Sequence, residues 1–83
     1  MRPKKLLERL KGGDVQNVSF ADCRNLVEAL GFELDRVRGS HHVFRQRTTG
    51  ARLNLQPFGG MAKPYQLRQL LALVERYDLS LEE

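Results

Sequence analysis

The sequence is short of cysteine, of long apolar runs and, over nearly half its length, of acidic residues. Its single cysteine, Cys23, excludes an intramolecular disulfide and a metal site built from cysteine alone, which fits a reducing compartment. No apolar run approaches the ~20 residues of a membrane span, and no signal peptide opens the chain. We therefore expect a cytoplasmic protein. We expect the 83 residues (1–83) to form a single domain, too small for a large catalytic architecture or a nucleotide-binding α/β domain.

The positive charge is concentrated in one half of the chain. No acidic residue occurs between Arg36 and Val74, whereas the rest of the chain has seven basic and ten acidic residues. A basic half of this kind is typical of a protein that binds a polyanion, and the planar fork of arginine matches phosphate oxygens. The alternative is a solvated face that only serves solubility. The seven basic residues of the stretch are Arg36, Arg38, Arg45, Arg47, Arg52, Lys63 and Arg68.

The periodicity of apolar residues predicts three helices and three strands. Helical spacing, with capping residues at the ends, is found in residues 2–11, 19–30 and 64–77. Cys23 lies on the apolar stripe of the second helix, so we interpret it as a buried hydrophobe and not as a nucleophile. Tyr65 and Tyr77 are expected to pack at the ends of the last helix. Alternation with period two predicts strands over residues 32–38, 41–47 and 51–56.

The resulting order, α-α-β-β-β-α, predicts an α+β fold. A three-stranded antiparallel sheet is not stable with both faces in water, so the helices should cover one face. The opposite face is then left for solvent or a ligand. Because most of the acid-free stretch forms the sheet and its loops, we expect the basic charge to concentrate near this open face.

His41 and His42 are the only histidines, and they lie on one predicted strand inside the basic stretch. Consecutive strand residues point to opposite faces, so the two rings cannot form an acid–base pair at one site unless the strand bulges. A metal pair has little support, since no third cysteine or carboxylate ligand is nearby. Two interpretations remain: a structural pair, or one exposed imidazole whose ordinary pKa of about 6.5 suits proton transfer at neutral pH.

Which histidine is exposed depends on which face of the second strand is buried. Phe44 shares the face of His42, and Val43 shares the face of His41. A buried aromatic residue is the commoner outcome, so we prefer the arrangement in which His41 is exposed and Phe44 is in the core. The opposite arrangement would make Phe44 a stacking platform for RNA bases. Counting along the chain by strict alternation predicts that Arg38 lies on the same face as His42.

Several segments together resemble a known family. Residues 39–45 (Gly-Ser-His-His-Val-Phe-Arg) follow Arg38 and a helix that ends in Leu-Gly-Phe. The similarity continues through Gly50, the third strand, Pro57 and residues 62–69 (Ala-Lys-Pro-Tyr-Gln-Leu-Arg-Gln). In these features the chain resembles the HicA toxin family over a core of residues 19–80, to which residues 2–12 add an N-terminal helix.

The resemblance implies a fold similar to the double-stranded RNA-binding domain and the activity of an endoribonuclease. It implies an mRNA interferase that is neutralised by a HicB-type antitoxin protein. Because the sequence offers no set of metal ligands, we expect no cofactor. The catalytic histidine of the family follows Gly-Ser, a position held here by His41, and some members have it one residue later, at His42. Many relatives end the third strand with Pro-x-His, whereas Gly59 stands at the last of these positions here.

Without metal ligands, RNA cleavage can proceed by attack of the substrate's own 2′-hydroxyl on the adjacent phosphorus. The hypothesis is that His41, or alternatively His42, is the general base or acid, and that Arg38, Arg45 or Arg52 holds the phosphate. Two other functions fit the same sequence: a non-catalytic RNA-binding module of the same fold, and a protein-interaction domain whose basic face meets an acidic partner. The full set of predicted RNA-binding residues is Arg38, Ser40, Arg45, Arg47, Arg52 and Lys63.

Overall fold

The computed structural model describes residues 1–82. Its elements are α1 (Pro3–Lys11), α2 (Phe20–Ala29), β1 (Phe32–Arg38), β2 (His41–Gln46), β3 (Arg52–Leu55) and α3 (Pro64–Tyr77). This is the predicted α+β order, and it is compatible with a fold like that of the double-stranded RNA-binding domain. The second and third strands are shorter than predicted because the connection between them takes in residues 47–51.

The helices begin and end where the sequence supplies suitable residues. The Ser19 hydroxyl accepts a hydrogen bond of 3.1 Å from the backbone N–H of Asp22, which caps the start of α2. Gly31 follows the same helix with φ of +89°, a left-handed conformation that glycine adopts readily. Pro64 occupies the first turn of α3, where a backbone N–H is not needed.

The strands form an antiparallel sheet in the order β1-β2-β3. Phe44, in the central strand, lies opposite Leu34 on one side and Leu53 on the other. Phe44, Leu53 and Leu55 are almost completely buried, so this is the face that the helices cover. The ladder between β1 and β2 has a bulge between Leu34 and Arg36, and Leu34 beside it is 42% exposed.

The covered face of the sheet packs against α2 and α3, and α1 packs against both of these helices. Cys23 is fully buried, and this burial raises the pKa of the Cys23 thiol to about 12. Its interpretation as a buried hydrophobe is therefore confirmed. The core consists of Leu6, Leu7, Leu10, Val15, Val18, Cys23, Leu26, Val27, Leu30, Phe32, Phe44, Leu53, Leu55, Ala62, Leu67, Leu70 and Val74.

Gln46 is a buried polar residue that fixes the connection between β2 and β3. Its side-chain oxygen accepts hydrogen bonds from the backbone N–H groups of Thr48 and Thr49, at 2.9 and 2.7 Å, and from both threonine hydroxyls. Its side-chain nitrogen donates to the carbonyl of Leu30 at 3.2 Å. One side chain thus accepts the hydrogen bonds of the turn and joins the turn to the end of α2. These bonds offset the cost of burying an amide.

The last described residues return to the end of α2. The backbone N–H of Glu82 donates to the carbonyl of Ala29 at 2.7 Å, and the Glu82 carboxylate pairs with Arg47. Within residues 1–82, no helix combines the length and the apolar character that crossing a membrane requires.

One expectation for α3 is wrong. Tyr65 and Tyr77, expected to pack at its two ends, are 49% and 37% exposed. The apolar stripe of α3 is supplied by residues in between, and both tyrosines keep a substantial part of their surface in solvent.

Candidate active site

His41 lies at the start of β2 on the open face of the sheet. It follows a two-residue turn, Gly39-Ser40, in which Gly39 has φ of +57°. His41 is exposed, and its Nδ1 atom lies 3.4 Å from the side-chain oxygen of Asn54, on β3. The ring is therefore accessible to a ligand while one of its nitrogen atoms is held by the neighbouring strand.

Arg38 is the residue directly opposite His41 in the ladder between β1 and β2. Residues directly opposite one another share a face of the sheet, so Arg38 belongs to the face of His41. The prediction that Arg38 shares a face with His42 is wrong. Across a two-residue turn, residues i and i+3 lie opposite one another, so the even-numbered Arg38 shares its face with odd-numbered residues on β2. Arg38 therefore places a guanidinium on the same face as the exposed imidazole.

His42 is on the covered side of the sheet and is half-buried. Its ring packs against Phe20, the first residue of α2, with ring centroids 5.0 Å apart. Its Nδ1 atom lies 3.0 Å from the carbonyl oxygen of Ser40. His42 thus joins the turn before β2 to the start of α2, and Phe44 on the same face is in the core as expected.

The open face carries several of the predicted basic residues. Arg36 lies opposite Val43, and Arg45 lies opposite Arg52. Arg52 is 3.6 Å from the carboxylate of Asp35, so part of its charge is compensated. The open face is therefore arginine-rich, as expected.

The predicted RNA-binding residues do not all have the same environment. Arg47 pairs with Glu82, whose hydrogen bond and negative charge raise the pKa of the Arg47 guanidinium. The ion pairs among residues 1–82 include neither Arg38 nor Arg45. Among residues 1–82 these two arginines form no salt bridge, although Glu33 lies opposite Arg45 in the ladder.

Ser40 lies in the turn between Arg38 and His41, and Lys63 lies before α3. The Ser40 hydroxyl accepts a hydrogen bond of 2.8 Å from the side chain of Gln56, so it supports the turn before His41. Lys63 precedes α3 and does not lie on the sheet, and its Nζ atom is 4.4 Å from the centre of the Phe58 ring. Phe58 is 39% exposed, so this cation–π pair is at the surface.

A polar cavity adjoins His41 at the edge of the sheet. It has a volume of about 190 Å³ and lies between the end of β3 and the first two turns of α3. The prediction missed its amide residues, although Asn54 in β3 and Gln56 directly after it alternate with the inward-facing leucines. The cavity is lined by His41, Asn54, Gln56, Tyr65, Gln66 and Gln69.

No group of three or more histidine, cysteine, aspartate or glutamate side chains is placed to hold a metal ion anywhere in residues 1–82. An exposed imidazole and neighbouring guanidinium groups can supply proton transfer and charge stabilisation.

Fold and site together define a small basic α+β protein with an accessible imidazole on an arginine-rich sheet face. The family model described as "HicA toxin of bacterial toxin-antitoxin" matches residues 20–75, and the chain belongs to this family. No curated protein and no solved structure matches the chain. Membership implies a toxin-type, mRNA-cleaving function and, in general, an RNA substrate and a HicB antitoxin partner.

Proposed function

We propose that the protein is a cytoplasmic endoribonuclease, an mRNA interferase, in which His41 is the general acid or base and a HicB-type antitoxin is the inhibitor. The observation that carries the proposal is the position of His41. It is exposed on the open face, lies opposite Arg38 and is held by Asn54.

The contact with Asn54 bears on the direction of proton transfer. An amide oxygen can only accept a hydrogen bond, so the contact favours the tautomer with the proton on Nδ1. The Nε2 atom then has a free lone pair. In this form His41 is suited to take the proton from the substrate's 2′-hydroxyl.

The reaction itself requires no nucleophile from the protein. The 2′-oxygen forms a bond to the adjacent phosphorus, the bond from phosphorus to the 5′-oxygen breaks, and the 2′-proton passes to Nε2 of His41. The leaving 5′-oxygen receives a proton from water or from the imidazolium that has formed. A histidine in such a role contributes roughly 10²- to 10⁴-fold to the rate.

The arginines of the open face supply the second component. Negative charge develops on the equatorial phosphate oxygens in the transition state, and fixed cations stabilise it. Arg38 shares the end of the sheet with His41, and Arg45 lies further along the same face. We assign the phosphate contact nearest the reaction to Arg38 and backbone contacts along the strand to Arg45.

His42 has a different role in this proposal. Its ring is half-buried against Phe20, and its Nδ1 atom is engaged by the turn. We therefore assign it to the packing of the turn against the start of α2, apart from the reacting groups. The chain thus contains its own matched control, a second histidine at the adjacent position on the opposite face.

The test is cleavage of end-labelled mRNA in the presence of EDTA. We expect the wild-type protein to cut, His41→Ala to lose roughly 10²- to 10⁴-fold in rate, and His42→Ala to keep the cut sites while folded. A single 2′-deoxy substitution on the 5′ side of a cut should abolish that cut. Circular dichroism of both variants confirms that they are folded.

Other outcomes contradict the proposal in distinct ways. Cleavage of an all-deoxy strand rules out attack by the 2′-oxygen. Loss of activity in His42→Ala with retention in His41→Ala transfers the catalytic role to His42. Gel shifts without cleavage indicate the non-catalytic RNA-binding module, and the absence of both leaves the protein-interaction domain.

A further inference from the structure

The cavity beside His41 has a composition that proton transfer does not require. Apart from His41, its lining consists of one tyrosine and four side-chain amides, with no lysine, arginine or carboxylate. A site for phosphate would be expected to have cations, as the open face does. This lining indicates a ligand that is uncharged and offers both hydrogen-bond donors and acceptors.

Two of the amides form the fixed part of the cavity. Gln66 is 1% exposed, and its side-chain nitrogen donates to the carbonyl of Gln56 at 3.1 Å. The side-chain oxygen of Gln66 accepts from the backbone N–H of Lys63, and the Gln56 side chain donates to Ser40. These bonds join β3, the start of α3 and the turn before His41, so the cavity wall is held from three sides.

The remaining residues of the lining are open to solvent. Asn54, Tyr65 and Gln69 are exposed, although they line the cavity. The Asn54 oxygen faces His41, which leaves its NH₂ group as a donor. Gln69 supplies a further amide, and Tyr65 supplies an aromatic ring that is 49% exposed.

An aromatic ring beside exposed amides is the combination that proteins use to bind single-stranded RNA bases. The base stacks on the ring, and the amides form hydrogen bonds with its edge. The volume of about 190 Å³ is below the ~300–1,000 Å³ of pockets for drug-sized ligands, and it suits one planar ring system.

We propose that this cavity binds one nucleobase next to the scissile phosphate, with Tyr65 as the stacking surface and the amides of Gln69 and Asn54 reading the edge of the base. The inference rests on the proposed function, because it makes RNA the ligand. It assigns the cavity the role of setting which nucleotide lies beside the cut.

Binding provides a test that does not depend on cleavage. Short RNAs made non-cleavable by 2′-O-methyl groups are prepared with a single abasic site at each position in turn, and their affinities for wild-type protein and Tyr65→Ala are compared. At one position we expect base removal to weaken wild-type binding about tenfold, the order of one lost stack. The same removal should have little further effect in Tyr65→Ala, because both changes delete the same contact.

Two variants control this experiment. Tyr65→Phe keeps the ring and should bind like the wild type. Tyr77→Ala removes the other exposed tyrosine, at the far end of the same helix, and should leave the effect of the abasic site unchanged. If base removal and Tyr65→Ala have independent effects at every position, the cavity binds no base and the proposal is wrong.

Selectivity is tested on a pool of RNAs randomised around a cut site. We expect Gln69→Ala to reduce the preference at one nucleotide beside the cut at least fivefold, whereas Gln16→Ala, at an exposed site outside the cavity lining, leaves it unchanged. The proposal is contradicted if Gln69→Ala and Tyr65→Ala both keep the nucleotide preference of the wild type. If cleavage still requires His41 in that case, the proposed function stands.

Discussion

The Nδ1 atom of His41 and the side-chain oxygen of Asn54 lie 3.4 Å apart on neighbouring strands. Asn54 is opposite Val43 in the ladder, so it is diagonal to His41 on the same face. The orientation of the ring therefore depends on the pairing of β2 with β3. This single contact connects the register of the sheet to the nitrogen atom that is available for proton transfer.

The first prediction concerns this contact. Asn54→Ala should lower kcat by about fivefold or more, the order of one lost hydrogen bond, because the ring loses the group that orients it. The unfolding free energy should change by less than about 0.5 kcal/mol, since Asn54 is exposed. Single-turnover cleavage and urea unfolding measure the two quantities. Asn25→Ala, an exposed change on α2, is the control, and an equal loss of rate there would count against a specific role.

The second prediction separates arginines with and without acidic partners. Arg38→Ala and Arg45→Ala should each weaken RNA binding and reduce the slope of log K against log salt by about 0.7, the value for one phosphate contact on a single strand. Arg47→Ala should change the slope less, because Glu82 already pairs with Arg47. Fluorescence anisotropy with non-cleavable RNA at several salt concentrations measures the slopes. A loss at Arg47 as large as at Arg38 and Arg45 would contradict this division.

Much of the fold could be predicted because it depends on local signals. Each of these signals acts within a few residues: Ser19 caps α2, Gly31 ends it, Pro64 begins α3, and the period of the apolar residues changes between helix and strand. The buried position of Phe44 and the exposure of His41 also follow from alternation along one strand, once the buried face is chosen.

The features that alternation along a single strand does not give depend on turn length and on the pairing of strands. Arg38 shares the face of His41 and not that of His42, because the two-residue turn between the strands reverses the parity. The contact between His41 and Asn54 requires the register of two strands. Tyr65 is 49% exposed, whereas the buried residues of α3 are Gln66, Leu67, Leu70 and Val74.

The third prediction concerns Gly31, where the backbone conformation disfavours a side chain and the ends of two side chains crowd the position of an added Cβ. Its φ is +89°, and an added Cβ would lie 2.6 Å from a carboxylate oxygen of Glu82 and 2.8 Å from the side-chain nitrogen of Gln46. We expect Gly31→Ala to destabilise the fold by about 2 kcal/mol or more, combining backbone strain with displacement of Gln46 from its turn. Chemical denaturation measures the change.

Gly13→Ala is the matched control for Gly31→Ala. Gly13 has φ of +96°, but an added Cβ there would meet nothing within 4 Å. Gly13→Ala should lower the free energy of unfolding only by the cost of the backbone conformation, about 1 kcal/mol. Equal losses at the two positions would show that the contacts around Gly31 contribute nothing.

The fourth prediction concerns the reactivity of Cys23. Burial raises the pKa of its thiol from 9.0 to about 12, and the thiolate is the form that reacts with alkylating agents. The folded state therefore holds the proton more tightly than the unfolded state. The resulting contribution to stability is fully present below about pH 9 and declines as the pH rises from 9 toward 12. At pH 8 we expect iodoacetamide to modify Cys23 only through unfolding, so that the labelling rate rises with urea in parallel with the unfolded fraction. Labelling in the absence of urea at the rate of an unfolded peptide would show that the helix carrying Cys23 opens locally, and the buried position of the thiol would then not protect it.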